Sequence, residues 1–422
     1  MLFRFSLYGF LKNQRYFEPF LVLVFLEKGL SFFVIGLLIS FREVIVNLLE
    51  IPSGAAADVY GRRKSMILSF TAYIVSFTLF GLAEGVGMLF GAMALFAVGE
   101  AFRTGTHKAM IFTWLRLEGR TDERTRIYGY TRSWSKYGSA LSVILAAVFV
   151  FTTDSYTYVF YFSIIPYLMG LINFFGYPRE LDGIQDDTHT LGSVFSHLKN
   201  SFRDIFSSRY VRRLMFESMG FQGVFEAAKD YLQPVLKAAA IAAVAGWIAT
   251  ADMSETQQTT LLIGPVYLVL YLASGLASRW SHRVASAAGD EDAGARVVWG
   301  IGLLIFLALG IAGFLEFNLT LIAAFVCLHV IQNVWRPIHL GRFDAGSGEA
   351  QGATVLSIES QARRLATIVV APLLGLAIDL VKSHGPGGPF WPIGLLGAGV
   401  ALLFLIAPRR TMPPIEAPGS SA

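Results

Sequence analysis

The chain is poor in charged residues and almost free of cysteine. Asp, Glu, Lys and Arg make up 15% of its 422 residues, against about 25% in soluble domains, which disfavours a soluble globular protein. Cys327 is the single cysteine, so an intramolecular disulfide and a multi-thiol metal site are both excluded. A phosphate-binding P-loop, an HExxH pair and a CxxC pair are also missing. We therefore expect no nucleotide-driven pump, no enzyme, no metal and no cofactor.

Long hydrophobic runs take the place of charge. Hydrophobic residues make up 54% of the chain and the mean hydropathy is +0.56. Runs of roughly 18 or more apolar residues are candidate membrane spans, and there are about twelve. We predict them at residues 17–40, 43–57, 65–82, 87–112, 129–151, 156–176, 214–236, 260–279, 297–315, 318–340, 353–381 and 390–408.

Every third span lacks charged side chains in its interior. The uncharged spans are Ser65–Gly81, Tyr156–Phe175, Val297–Phe314 and Trp391–Ala407. A charge at the bilayer centre costs about 2.5–3.5 kcal/mol or more, so charged spans normally face a protein interior or a watery cavity. This period of three predicts that two spans of each triplet line an aqueous space and that the third faces lipid.

Basic residues cluster in alternate loops, as they do after span two at Arg62, Arg63 and Lys64. By the positive-inside rule we expect a multi-pass protein of the cell membrane with both termini in the cytoplasm. Anionic lipid headgroups explain the clusters without any nucleic-acid partner.

The chain divides into two similar halves. We predict an N-terminal bundle over 1–176, a cytoplasmic linker over 177–210, a C-terminal bundle over 211–410 and a disordered tail over 411–422. Ser-Gly pairs precede basic loops in both halves, at Ser53-Gly54 and Ser274-Gly275, which favours an internal repeat. The external segment 237–260 either extends span seven or packs over the outer mouth, and the sequence leaves both open.

The sharpest motif is Gly54-x-x-x-Asp58-x-x-Gly61-Arg62-Arg63, at the end of span two. Gly54 permits close helix packing and Gly61 a tight turn, and Asp58 can pair with an arginine. With its spacing, the chain resembles the major facilitator superfamily. That resemblance implies twelve transmembrane helices in two six-helix, pseudo-symmetric bundles, an all-α membrane protein. It also implies that Asp58 and Arg62 form an inner latch, closed in the outward-open state. A simple capped turn is the alternative.

Helix four carries Glu100, Arg103 and His107 on one face. Arg103-Thr-Gly105 partly matches a family motif linked to proton coupling, although its Arg–Gly spacing is shorter. A static pair of Glu100 and Arg103 is the alternative. The other candidates for the cavity or for coupling are Glu27, Glu50, Lys136, Glu226, Asp230, Gln332, Arg336, His339 and Arg364. Snorkelling or internal pairing is the alternative for several of them.

Together these features predict a secondary active transporter, a monomer, for a small polar, anionic or amphipathic solute. Titratable acids and histidines in the spans, without a sodium-site signature, favour proton coupling. A drug or metabolite efflux antiporter, a channel, and a membrane sensor or scaffold without flux remain as alternatives. Span five lacks the Gly-Pro of drug–proton antiporters, which makes the antiporter less favoured.

Overall fold

The computed structural model describes residues 1–182, 208–247, 253–346 and 352–407. In that part of the chain the regular structure is helical, and nine helical segments are long and apolar enough to cross a membrane. The helices are α1 (Leu2–Leu11), α2 (Leu21–Glu27), α3 (Phe32–Tyr60), α4 (Arg62–Leu82), α5 (Val86–Arg103), α6 (Thr106–Leu117), α7 (Arg124–Thr153), α8 (Tyr158–Phe175), α9 (Arg209–Ala228), α10 (Leu232–Trp247), α11 (Glu255–Ala288), α12 (Glu291–Phe314), α13 (Asn318–Gly346), α14 (Gly352–His384) and α15 (Trp391–Ile406).

The first membrane segment is broken, and its predicted bounds were wrong. It consists of α1 and α2, and α3 is the second segment, so the predicted bounds of 17–40 and 43–57 are both displaced. The polar residues between α1 and α2 lower the mean hydropathy of any sequence window that spans the segment, so the segment is not recognised as one span. Neighbouring helices contact this break: the Gln14 side-chain amide donates to Gly138 O of α7 at 3.1 Å, and Tyr167 of α8 donates to Lys12 O at 3.1 Å. Irregular backbone at this depth is tolerated because it lies inside protein.

Two other helix pairs are broken in the same manner. Gly105 separates α5 from α6 with φ of +79°, a conformation that favours glycine. A short 3₁₀ turn, Lys229–Tyr231, separates α9 from α10. With each broken pair counted as one segment, the described helices form twelve segments, six before residue 183 and six after residue 207.

The charge-free segments pack in pairs, α4 on α8 and α12 on α15. Glycine permits the close contact, since a Cβ at Gly170 would lie 2.4 Å from the Phe70 ring and one at Gly394 would lie 2.2 Å from Gly310 N. Their other faces expose large apolar side chains, among them Leu68, Ile172, Leu304 and Leu403. This agrees with the prediction that every third segment faces lipid.

The two halves meet along α3 with α14 and along α7 with α11. Contact between α3 and α14 is close because glycine occupies it from both sides. A Cβ at Gly36 would lie 2.4 Å from Ala371 O, and one at Gly375 would lie 2.2 Å from Phe32 O. Farther along, the same four segments carry polar side chains, and these line the cavity described below.

The predicted linker and the predicted external segment are described only in part, and their described residues continue the adjacent six-helix bundle. After α8, the turn Arg179–Asp182 returns to the N-terminal half, where Asp182 accepts the Arg63 backbone N–H at 2.7 Å. Within the segment 237–260, α10 continues the seventh span as far as Trp247. The rest of the linker and the tail 411–422 lie outside the described residues.

Candidate functional site

A cavity of about 420 Å³ lies between the two halves, and we call it the central cavity. Its acidic lining residues are Glu18, Glu43, Glu100, Glu226 and Asp230. Its Lys and Arg lining residues are Arg15, Arg42, Lys136, Lys229 and Arg364. The formal charges of these ten side chains cancel. Tyr267, His329, Gln332 and Asn333 add neutral polar groups, so the cavity suits a polar solute rather than an apolar one.

Glu43 bridges the two halves in this cavity. Its Oε1 accepts from Arg42 at 2.7 Å, and its Oε2 accepts from Arg364 of α14 at 2.8 Å. Arg364 also lies 3.9 Å from Glu50, which follows Glu43 by about two turns of α3. The Glu43 side chain is only 10% exposed, so separating the halves here would leave a poorly solvated charge.

Glu100 holds a second group of charges, inside the N-terminal half. It pairs with Arg103 one turn along, accepts a hydrogen bond from Tyr73 at 2.7 Å, and lies 3.6 Å from Arg15. Arg15 belongs to the break between α1 and α2, which places its guanidinium at the depth of Glu100. The pair of Glu100 and Arg103, which was the alternative to a coupling role, is present, whereas His107 belongs to the next helix, α6.

A third group lies in the C-terminal half around the break between α9 and α10. Lys229 lies 3.8 Å from Glu226 and 3.4 Å from Asp230. Gln222 donates to Glu226 at 2.9 Å and accepts from Gln332 of α13 at 2.9 Å. Glu226, Asp230 and Gln332, all predicted from the sequence, therefore share one network with Lys229.

A second cavity, of about 400 Å³, lies inside the N-terminal half between α1, α6 and α7, and we call it the basic pocket. Its lining includes Lys12, Arg103, Lys108, Arg132 and Lys136, without a carboxylate among its described lining residues. His107 contributes to the wall, where its ring stacks on Tyr8 with centroids 3.7 Å apart. Lys136 lines both cavities, so the two adjoin.

The central cavity is closed at the end where α2, α10 and the start of α3 meet. Gln233 of α10 accepts the Val22 N–H at 2.8 Å and donates to Glu18 O at 3.0 Å. Asp379 of α14 accepts the backbone N–H groups of Phe32 at 3.1 Å and Phe33 at 2.8 Å. A carboxylate from one half thus caps a helix of the other, where the helix dipole favours negative charge.

The segments α7 and α11 close the same end. Ser254, which caps α11, donates to the carboxylate of Asp154, and Gln257 donates to Phe151 O at 3.1 Å. A Cβ at Gly264 would lie 3.1 Å from Ala147. The cross-half contacts at this end lie on one side of the central cavity, which α3 lines with Arg42, Glu43 and Val46.

The glycine–aspartate–arginine motif lies at the opposite end. Gly61 joins α3 to α4 with φ of +101°. Asp58, whose side chain is 59% exposed, pairs with Arg62 at 3.2 Å, and Arg62 also donates to Thr113 at 2.9 Å. Arg63 donates to Tyr177 O at 3.2 Å. These partners all belong to the N-terminal half, and Gly54 has open space around its Cα.

Four predicted candidates lie outside the lining of both cavities. Glu27 is exposed at the end of α2, and Glu50 approaches the central cavity only through Arg364. Arg336 makes two hydrogen bonds to the buried Glu359, at 2.7 and 2.9 Å. His339 is fully buried, with its ring stacked on Trp335.

Sequence reasoning missed several lining residues because it started the first span too late. Lys12 and Arg15 were assigned to a region before the membrane, although the break between α1 and α2 places them beside the cavities. Arg42 fell at a predicted junction between spans, whereas Glu43 was predicted as the first residue of span two. The signal that was available is a short apolar run, Leu2–Leu11, followed by a polar break and a second apolar run.

Comparison with known proteins agrees with this arrangement. Residues 13–338 match the sequence profile of the Major Facilitator Superfamily. The chain belongs to this superfamily. Its helical, multi-pass fold is therefore the superfamily's fold, as predicted.

One curated relative and several solved structures resemble the chain. An uncharacterized MFS-type transporter, YxaM of Bacillus subtilis (strain 168), is 28% identical over 99 residues, and this match spans 24% of each chain. The nucleoside transporter NupG superposes with a TM-score of 0.78 at 10% identity, covering 96% of this chain and 97% of that one. A D-xylose-proton symporter superposes with a TM-score of 0.69 at 14% identity, covering 96% of both chains. At these identities the structures show the fold alone.

Proposed function

We propose that this superfamily member is a secondary active transporter that moves a small polar or amphipathic solute across the cell membrane, coupled to protons. The solute occupies the central cavity between the halves. Alternating access then proceeds by rocking of one half against the other about that cavity.

The observation that carries this proposal is the Glu43–Arg364 bridge at the boundary between contact and cavity. Toward the closed end the halves touch through capped helix ends and glycines, and at the depth of the bridge, whose two residues line the central cavity, they surround about 420 Å³ of space. Opening the closed end requires this cross-half pair to break. A proton on Glu43, or an anionic group of the solute on Arg364, weakens the pair and lowers that barrier.

Orientation follows from the basic loops. With Arg62, Arg63 and the termini in the cytoplasm, the closed end is external and the described state is open to the inside. Asp58 and Arg62 then act as the inner latch only after the halves rock to the other state. Their present pairing within one half is compatible with such a cycle.

Proton coupling is supported by the carboxylates of the cavity. Glu43, Glu100, Glu226 and Asp230 all lie in its lining beside a Lys or Arg side chain. Each can exchange an ion pair for a proton when its partner turns to the solute. One structural neighbour is itself a proton symporter for D-xylose, which supports the energy source and leaves the solute open.

The test is flux in proteoliposomes after a thermal-shift screen has identified a binding solute. A solute gradient should acidify or alkalinise the lumen, and a pH-sensitive dye inside the vesicles measures this change. Uptake driven by sodium alone would refute the proton proposal. Counterflow exchange that saturates would exclude a channel, and solute binding without any flux would favour a sensor or scaffold.

A further inference from the structure

The basic pocket differs from the central cavity because its cations outnumber the nearby carboxylates. Glu100 neutralises Arg103, but the remaining cations of the lining, Lys12, Lys108, Arg132 and Lys136, face no carboxylate among the lining residues. The Lys108 ammonium lies 5.5 Å from the rings of Phe112 and Tyr128, which is a weak compensation. Like charges gathered around a cavity repel each other and favour an anion between them.

The start of α6 adds hydrogen-bond donors to the same wall. Gly105 precedes this twelve-residue helix and supplies no capping side chain. Gly105, His107 and Lys108 all line the pocket. The first backbone N–H groups of a helix have no partner within it, so they can bind an oxyanion. Side-chain cations and backbone donors thus converge on one space.

The pocket's position points to a soluble ligand rather than a lipid headgroup. Lys136 lines it together with the central cavity, and the Glu100–Arg103 pair has its acid in one lining and its base in the other. Phe5, Tyr8 and Ile111 supply apolar walls, and a volume of about 400 Å³ is sufficient for a small molecule.

We infer that the basic pocket binds the phosphate or carboxylate group of a small amphipathic solute on the cytoplasmic side of the central cavity. The inference rests on the proposed transport function and specifies its solute class: the central cavity is charge-balanced, so the anionic preference comes from this pocket. Arg132 and Lys108 bind the oxyanion, and the aromatic wall holds the apolar part.

The experiment is a binding titration of the purified full-length protein with phenyl phosphate, with benzyl alcohol as the uncharged probe. Ionic strength is held constant because salt screens these contacts. Phenyl phosphate should raise the melting temperature and benzyl alcohol should not. Lys108→Gln and Arg132→Gln should each weaken binding about tenfold, the effect of losing one charge-assisted hydrogen bond. Lys64→Gln, an exposed lysine outside the pocket, is the matched control, and Arg132→Lys should retain most of the affinity.

Two results would overturn the inference. Unchanged affinity in both glutamine variants would remove the pocket as the binding site. Loss of phenyl phosphate binding in phosphatidylglycerol nanodiscs, with binding retained in phosphatidylcholine nanodiscs, would assign the pocket to an anionic lipid headgroup. Failure of the transport proposal has a different signature, since phenyl phosphate would still bind while no solute moved in proteoliposomes.

Discussion

The central cavity and the basic pocket adjoin, yet they treat charge in opposite ways. In the central cavity Glu43, Glu100, Glu226 and Asp230 each lie within 4 Å of a basic side chain. In the basic pocket Arg103 alone has a named carboxylate partner, and cations accumulate. The difference teaches that charge pairing follows position relative to the two halves. Charges between the halves are desolvated as the halves close, so they need partners. Cations inside one half can remain unneutralised and available to a ligand.

The strongest test of this contrast removes one cation from each cavity. Arg364→Gln leaves Glu43 with Arg42 and deprives Glu50 of its nearest base, and breaking such a buried pair costs about 3–5 kcal/mol. Arg132→Gln removes a cation that is repelled by its neighbours, so the free energy of unfolding should stay within about 0.5 kcal/mol of wild type. Thermal unfolding in detergent, followed by tryptophan fluorescence, measures both. Equal losses of stability in the two variants would contradict the difference in charge pairing between the two cavities.

A second test forces the closed end apart. Gly375→Val places methyl groups against Phe32 O, where a Cβ already comes within 2.2 Å, and overpacking costs about 1–3 kcal/mol. The halves should therefore separate externally and transport should fall. In a Cys327→Ser background, Thr259→Cys reports opening by thiol labelling because Thr259 is fully buried near the start of α11.

Gly300→Val is the matched control for this test, since open space surrounds Gly300, and its labelling should equal that of the parent. Anion binding to the basic pocket should survive Gly375→Val because the pocket lies within one half. Labelling that remains absent in Gly375→Val would contradict the assignment of this contact as the external gate.

A third test concerns Glu100, whose carboxylate lines the central cavity and pairs with Arg103 of the basic pocket. Glu100→Gln leaves Arg103 without its carboxylate partner, so phenyl phosphate should bind the basic pocket several-fold more tightly. Glu43→Gln, on the far side of the central cavity, should leave that affinity unchanged, which makes it the control. The same titration as above measures both variants. A weaker affinity in Glu100→Gln would show that Glu100 orients Arg103 rather than neutralising it.

A small effect on stability is also expected at the latch motif. Asp58→Asn breaks an exposed pair with Arg62 that contributes less than about 1 kcal/mol, so the melting temperature should barely change. Transport should nevertheless slow, because the opposite state loses its latch. Initial rates in proteoliposomes at matched protein density test this, and an unchanged rate would favour the capped turn.

Part of the site followed from helical spacing in the sequence. Glu100, Glu226 and Asp230 line the central cavity, and Glu100 pairs with Arg103, whose side chain lines the basic pocket. Arg336 and His339 looked equivalent by the same spacing, but Arg336 pairs with Glu359 and His339 packs on Trp335. Spacing gives the face of a helix and cannot give the neighbour against which that face packs.

The sequence by itself determined the class of this protein. Its apolar runs, alternate basic loops and charge-free third segments reflect the cost of charge in a bilayer, which acts on each segment locally. Tertiary structure alone decided which charges meet. The bridge from Glu43 to Arg364 and the cap of Asp379 on α3 join residues more than 300 positions apart. Such contacts depend on how two folded halves pack, and no local pattern encodes that packing.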